Sequence, residues 1–251
     1  MEEMKQTEST DAIDRMFAAG VHYGVTKSRR HPSAAPLLFT QKQGVDLFDL
    51  EKTLPYFERA QEFMRALGAD RKTVLFLGGK PESQRVVKQT AERLGSLYVV
   101  GRWIGGMLTN FSEIKKRIAR LVDLTRDRES GALQKYTKLE RLMMDREIER
   151  LESKYGGMTT AADKLPDALV IIDPKREVIA IREARAMRIP VVALANSDCD
   201  MSMVEYPVPG NDAAVRSISY FVDFVAHAYE EGTLTKRVAP AAAPRDAVEA
   251  V

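Results

Sequence analysis

The stretch with the most chemical capacity is Gly101-Arg102-Trp103-Ile104-Gly105-Gly106-Met107-Leu108-Thr109-Asn110-Phe111, which holds the chain's only tryptophan beside an arginine and among three glycines. Glycines let another backbone approach closely, an arginine brings a planar guanidinium fork, and an indole brings a flat face. Together they suit phosphates and bases. Lys115, Lys116, Arg117 and Arg120 follow at once. The same residues also fit a mechanical part: Trp103 and Met107 would plug a junction between two substructures while the glycines reverse the chain. Composition at this stretch leaves both open.

Elsewhere the makings of catalysis are sparse. Gly78-Gly79-Lys80 stands where a strand would hand over to a helix, the position at which backbone N–H groups and a helix dipole can hold an anion. Its spacing fits neither a GxxxxGK[ST] loop nor GxGxxG, and Pro81 removes one donor. A tight turn is the better explanation, with Lys80 left to meet a phosphate of a larger partner. The three histidines, His22, His31 and His227, have no sequence-local acid placed to orient them. Asp198-Cys199-Asp200 lacks the second cysteine or nearby histidine of a metal site, so no metal and no cofactor are expected. Asp173-Pro174-Lys175-Arg176 reads as a helix N-cap followed by a basic surface pair. A nucleotide-binding enzyme on a doubly wound sheet needs a phosphate loop and a placed acid or base, and the sequence supplies neither.

Charge is informative in its distribution. The formal net charge is only +2, from 38 basic and 36 acidic residues, yet residues 1–14 carry five acids and one base. From Val21 to Val45 the balance inverts: Lys27, Arg29, Arg30 and Lys42 occur with no acid. Such a loop suits phosphate through a salt-sensitive electrostatic attraction, although a solvated loop beside an acidic segment has the same composition. A single cysteine excludes an intramolecular disulfide framework and fits a reducing compartment. No apolar run nears the roughly 20 residues that span a bilayer, and the N-terminus resembles neither a secretory nor a transit peptide. A cytoplasmic protein is expected.

These groups need elements to position them. Asp11–Ala19 is spaced as a helix, Gly20 to Pro36 as an irregular basic loop, and Leu37–Phe39 with Val45–Phe48 as a small hairpin. A helix over Asp49–Leu67 follows. From there strand, turn and helix alternate. Thr73–Leu77, Leu97–Val100, Ala168–Ile172 and Val191–Ala195 are unbroken apolar runs, with helices expected over Glu82–Leu94, Arg176–Met187 and Ala213 to about Glu230. Apolar runs without alternation are how strands of a helix-covered parallel sheet read. The expected fold is α/β: a three-layer, doubly wound (flavodoxin- or Rossmann-like) parallel sheet. The run is interrupted between Val100 and Ala168, where Phe111, Ile114, Ile118, Leu121 and Met144, Ile148, Leu151, Tyr155 are spaced as seam positions of two amphipathic helices. We expect an inserted antiparallel coiled-coil hairpin over residues 105–158, its far end mobile unless a partner covers it. Two ordinary helices packed on the sheet would share that spacing. Residues 1–104 and 159–232 would form the α/β domain, and 233–251, rich in Ala and Pro, a disordered tail.

Taken with its flanking segments, the elbow resembles the family of the second protein of the bacterial small ribosomal subunit. The matching segments are Ala19-Gly-Val-His-Tyr-Gly24, Thr73-Val-Leu-Phe-Leu-Gly78, Arg102-Trp-Ile-Gly-Gly-Met-Leu-Thr-Asn-Phe111, Leu165-Pro-Asp-Ala-Leu-Val170 with Ile172-Asp173, Ile189-Pro-Val-Val192 and Pro209-Gly-Asn-Asp212. They occur in the family's order and cover about residues 11–232. The first loop departs from the family pattern, with Val25 in place of a second histidine and Arg30-His31-Pro32-Ser33 in place of Trp-Asn-Pro-Lys. The resemblance implies a parallel-sheet domain with a protruding coiled-coil hairpin, and assembly on small-subunit ribosomal RNA without catalysis. The partners it implies are that RNA, neighbouring small-subunit proteins and, where present, the large messenger-binding first protein of the subunit. The expected RNA contacts are Lys27, Arg29, Arg30, Lys80, Arg102, Trp103, Thr109, Asn110, Lys115, Lys116 and Arg117, meeting chiefly phosphate. A protein–protein adaptor working through the hairpin overlaps this reading.

Overall fold

The computed structural model describes residues 2–160 and 164–238. Helix α1 (Glu2–Ala19) leads into a three-stranded antiparallel sheet of β1 (Tyr23–Thr26), β2 (Leu38–Lys42) and β3 (Val45–Phe48), in the order β1-β3-β2. Then come α2 (Leu50–Ala69), β4 (Val74–Gly78), α3 (Pro81–Leu94), β5 (Leu97–Val100), α4 (Phe111–Glu129) and α5 (Lys138–Tyr155). The chain finishes with β6 (Ala168–Ile172), α6 (Val178–Ala186), β7 (Val191–Ala195), β8 (Tyr206–Pro209) and α7 (Val215–Val238). Strands β4 to β8 form one parallel sheet in the order β5-β4-β6-β7-β8.

Every residue of β4, β6 and β7 is buried, so both faces of the sheet need cover. Alternate side chains divide the core in two. Val74, Phe76, Val170, Ile172 and Leu194 pack under α2, α3 and α7, whereas Leu75, Leu77, Leu169, Ile171 and Ala193 pack under α6 and the segment around Trp103. The result is the three-layer α/β arrangement expected from the sequence. Local signals set the helix starts: the Asp49 carboxylate accepts the N–H groups of Glu51 and Lys52, and Thr137 with Glu140 forms a capping box on α5.

Two strands were not legible in advance. In β8, Pro207 and Pro209 argue against a strand, but β8 is a sheet edge and pairs only with β7. Both prolines have the same parity, so the side lacking an N–H is the unpaired one. Strand β1 lay inside the expected irregular loop; it has only four residues and pairs with β3 alone. The last helix runs on to Val238, past the position where a tail was expected to begin at residue 233, and residues 239–251 lie outside the described residues. Helices α4 and α5, inserted between β5 and β6, meet through an Arg120–Glu147 ion pair of 3.3 Å. Ile114, Ile118, Leu121, Ile148 and Leu151 are buried between them and join the core beneath Trp103, while Phe111 and Met144 are half-buried.

Helices α2 and α7 touch backbone to backbone. A Cβ on Gly68 would run into the Tyr229 carbonyl oxygen, and one on Gly232 into that of Arg65. Gly232→Ala should therefore lower unfolding stability by about 1–3 kcal/mol, the usual penalty of overpacking. Denaturant titration checks this; an unchanged midpoint would show that the helices separate freely.

Candidate nucleic-acid interface

The elbow between β5 and α4 is shaped from behind by one acid. Glu183 lies on α6 and is buried. Its Oε1 accepts the Trp103 indole N–H at 3.2 Å and the Gly106 N–H at 2.8 Å. Its Oε2 accepts the N–H groups of Leu108 and Thr109, at 3.0 and 3.2 Å, and the Thr109 hydroxyl at 3.2 Å. Burial works against the charge, but the Leu108, Gly106 and Thr109 N–H groups and the indole more than offset it, leaving the carboxyl below its ordinary range. Gly106 has φ 89°, a backbone angle that favours glycine at the point where the chain turns over the carboxylate.

All five strands of the main sheet point the same way, so the segments leaving them share one edge. Lys80, after β4, reaches Asp212 at 2.6 Å and Asp173 at 2.8 Å. Burial opposes its charge, and the hydrogen bonds it gives to the two carboxylates outweigh that, so the ammonium is held protonated. Asn196 Nδ2 donates to Asp212 at 2.6 Å. Glu177 is buried against Gly79, where any Cβ would collide with its Oε1. Burial, aided by Asp173 and opposed by Arg176, pushes its carboxyl up to about 7. The Cys199 thiol is likewise pushed upward by burial. Among the described residues, no group of three or more His, Cys, Asp or Glu side chains is arranged to hold a metal.

The small sheet is stitched to this same edge. Val25 N–H donates to Ser197 Oγ at 2.9 Å, and His31 N–H to the Ser197 carbonyl at 2.8 Å. Ser33 Oγ donates to the Cys199 carbonyl at 3.3 Å. Gly24 is needed there, because a Cβ would fall 2.9 Å from Ser197 Oγ and 3.0 Å from the Asp46 carbonyl oxygen. Behind the strands, fully buried Asp46 takes a bidentate grip from Arg30, with Nε–Oδ2 at 2.7 Å, and a bond from Gln41 at 2.7 Å. The bond from Arg30 holds the Asp46 carboxyl below its ordinary range.

The sequence profile described as Ribosomal protein S2 matches residues 16–232. The chain belongs to the ribosomal protein S2 family. Among its relatives, the small ribosomal subunit protein uS2 of Acidothermus cellulolyticus is 42% identical over 230 residues, 91% of this chain and 83% of the relative. That of Dictyoglomus thermophilum is 40% identical over 220 residues (88% and 89%), and that of Solidesulfovibrio magneticus 40% identical over 234 residues (93% and 90%). The S2 family is one of structural proteins, not enzymes. Among the described residues, no helix is long and apolar enough to cross a membrane.

Within this S2-family fold the residues singled out from the sequence separate into two groups. Lys27, Arg29, Arg102 and Arg117 are exposed and make no ion pair among the described residues; Asn110 is exposed at the start of α4. Others are engaged inside the molecule. Trp103 is only 5% exposed and gives its N–H to Glu183, so its face is not offered to a base; of the two readings of the elbow, the structure has the plug. Arg30 is locked on Asp46 and Lys80 on Asp173 and Asp212, so these two cations, expected as RNA contacts, are already paired inside the fold. The Thr109 hydroxyl is likewise committed to Glu183. Lys115 lies 5.5 Å over the Phe111 ring, and Lys116 pairs with Glu113 at 2.6 Å. Arg176 after β6, read from the sequence only as half of a basic surface pair, is also exposed on this edge. Its signal was available, since the ends of parallel strands are where α/β folds meet ligands.

Glu183→Ala should cost about 3 kcal/mol of stability, because five donors lose a charged acceptor. It should also shift Trp103 fluorescence to the red as water reaches the indole. An unchanged unfolding midpoint and emission maximum would contradict the clamp. For Glu177 the sign runs the other way. Its folded carboxyl titrates near 7 against an ordinary 4.5, so the folded chain keeps a proton that the unfolded chain releases. The stability present below about pH 4.5 is lost progressively up to pH 7. Glu177→Gln should remove that loss and gain on the wild type by up to about 3 kcal/mol between those pH values. Denaturant unfolding of both proteins at several pH values tests it; a pH-independent difference would refute it.

Proposed function

We propose that this S2-family chain is a structural constituent of the small ribosomal subunit, held on its ribosomal RNA chiefly through phosphate contacts along the C-terminal edge of the main sheet. The relatives' name supports the subunit. The observation that carries the RNA-binding reading is a segregation of charge at that edge. Four of its carboxylates are turned inward onto partners: Asp46 on Arg30, Asp173 and Asp212 on Lys80, Glu183 on the elbow; Asp198 pairs with the exposed Lys175, and Asp200 is half-buried on Ser202. Lys27, Arg29, Arg102 and Arg176 face outward with no ion pair among the described residues. Neighbouring strands lie about 4.8 Å apart, so the end of β5 and the Ser197 anchorage of the first loop are separated by roughly three such spacings. A row of cations on that scale suits several successive phosphates, and it fixes position without reading base edges.

Residues 105–158 are the second part of this reading. As a coiled-coil hairpin standing off the α/β domain, they would carry Arg117 along the RNA and offer a second surface to proteins. On α5, Leu139, Leu142 and Met143 are exposed on adjoining turns, which suits neighbouring small-subunit proteins, the messenger-binding first protein among them where present. The location that follows is the cytoplasmic ribosome.

Arg102→Ala combined with Arg117→Ala should weaken incorporation into small-subunit particles and reduce the steepness of its salt dependence by about two phosphate contacts. Occupancy of purified particles, measured across a salt series, checks this. Unchanged occupancy and an unchanged slope would remove both residues from the interface.

A further inference from the structure

The three-stranded sheet has an outer face that the phosphate contacts leave unused. Direct pairing sets which residues share it: Tyr23 opposite Leu47, Leu47 opposite Thr40, Val45 between Thr26 and Lys42. Their neighbours Asp46 and Phe48 are buried on the inner face. At one margin, Phe17 of α1, His22 and Tyr23 make a stack, with Phe17–His22 centroids 4.5 Å apart at 9° and His22–Tyr23 centroids 4.2 Å apart at 38°. The outer two rings stay open, Phe17 at 63% and Tyr23 at 49% exposure. At the other margin Phe39, at the irregularity between the paired Leu38 and Thr40, is 76% exposed.

We propose that this face is a stacking platform for unpaired nucleobases of RNA, a role that rests on the phosphate-binding reading above. Charge selects RNA over a protein surface. From Val21 to Phe48 the one acid, Asp46, is fully buried and held by Arg30 and Gln41, while Lys27, Arg29 and Lys42 are exposed around the face. From Val21 to Phe48 every exposed charge is thus positive, the exposed acids Asp11 and Asp14 lying on α1; this attracts a polyanion, and open rings beside the cations take bases irrespective of sequence, since every base has a π-face. A base laid on Phe17 would lengthen its stack with His22, and one laid on Tyr23 would add a ring to the same cluster. The cations would meanwhile hold the phosphates on either side of it, so one short segment of looped RNA satisfies both.

The test uses the full chain and two RNA probes: a short oligouridine carrying one fluorescent aminopurine, and a blunt RNA duplex of the same length. The wild type should quench the aminopurine on binding. Tyr23→Ala with Phe39→Ala should weaken binding of the single strand by about tenfold or more and abolish the quenching. The salt slope and the duplex affinity should stay as they were, because stacking releases no counterions. Tyr23→Phe, which keeps the ring, should restore part of the loss. Both rings are exposed, and a thermal melt of the double variant shows that the fold survives. Unchanged affinity and quenching in that variant overturn the platform, as does an equal loss on both probes. So does normal RNA binding accompanied by loss of a neighbouring protein from assembled particles, which would make the occupant a protein. The phosphate reading fails separately: Lys27→Ala with Arg29→Ala would then leave the salt slope of both probes unaltered.

Discussion

The Glu183 carboxylate is the constraint on which the rest of the elbow depends, because a charge buried that deeply survives only when its lone pairs are filled. Five donors from Trp103, Gly106, Leu108 and Thr109 fill them, and together they leave the chain one path over the carboxylate. That path seats Trp103, Met107 and Leu108 in the core on the α6 side of the sheet. It also starts α4 at Phe111 and turns Arg102 to solvent. Two of the glycines follow from the backbone, Gly106 with φ 89° and Gly101 with φ 92°, whereas a Cβ on Gly105 would meet only open space. What reads in the sequence as a cradle for a foreign anion is a cradle for the protein's own.

The same economy operates along the whole C-terminal edge. Burying Asp46, Asp173, Asp212 and Glu183 in internal hydrogen bonds withdraws negative charge from the surface, and each withdrawn acid also braces a loop. A chain whose net charge is only +2 can in this way present a locally cationic rim. Global charge therefore says little about such a protein; which carboxylates are spent inside says much more. Some cations are spent too: Arg30 and Lys80 are structural ties, and their removal would be felt first in folding.

The core was legible because it obeys simple rules. The apolar runs at 73–77, 168–172 and 191–195 could hardly be anything except strands covered on both faces, and the structure has buried strands at 74–78, 168–172 and 191–195. Strand β8 was hidden by Pro207 and Pro209, whose usual meaning is reversed at a sheet edge. At the elbow, Trp103 could be a stacking face or a plug, and nothing nearby in sequence decides between them. The deciding residue, Glu183, lies 80 positions from Trp103 and looks like any polar residue of an amphipathic helix. Arg30 and Lys80 misled for a related reason. Composition shows a cation, while the acid that neutralises it arrives through the fold, 16 residues away for Arg30 and 132 for the Lys80–Asp212 bond.

The claim beneath all of this is that the elbow is rigid before any partner arrives. Amide hydrogen exchange of the free chain measures it directly. The N–H groups of Gly106, Leu108 and Thr109 should be protected nearly as strongly as those of β4. Exchange at the rate of an open loop, with protection appearing only after RNA is added, would contradict the account.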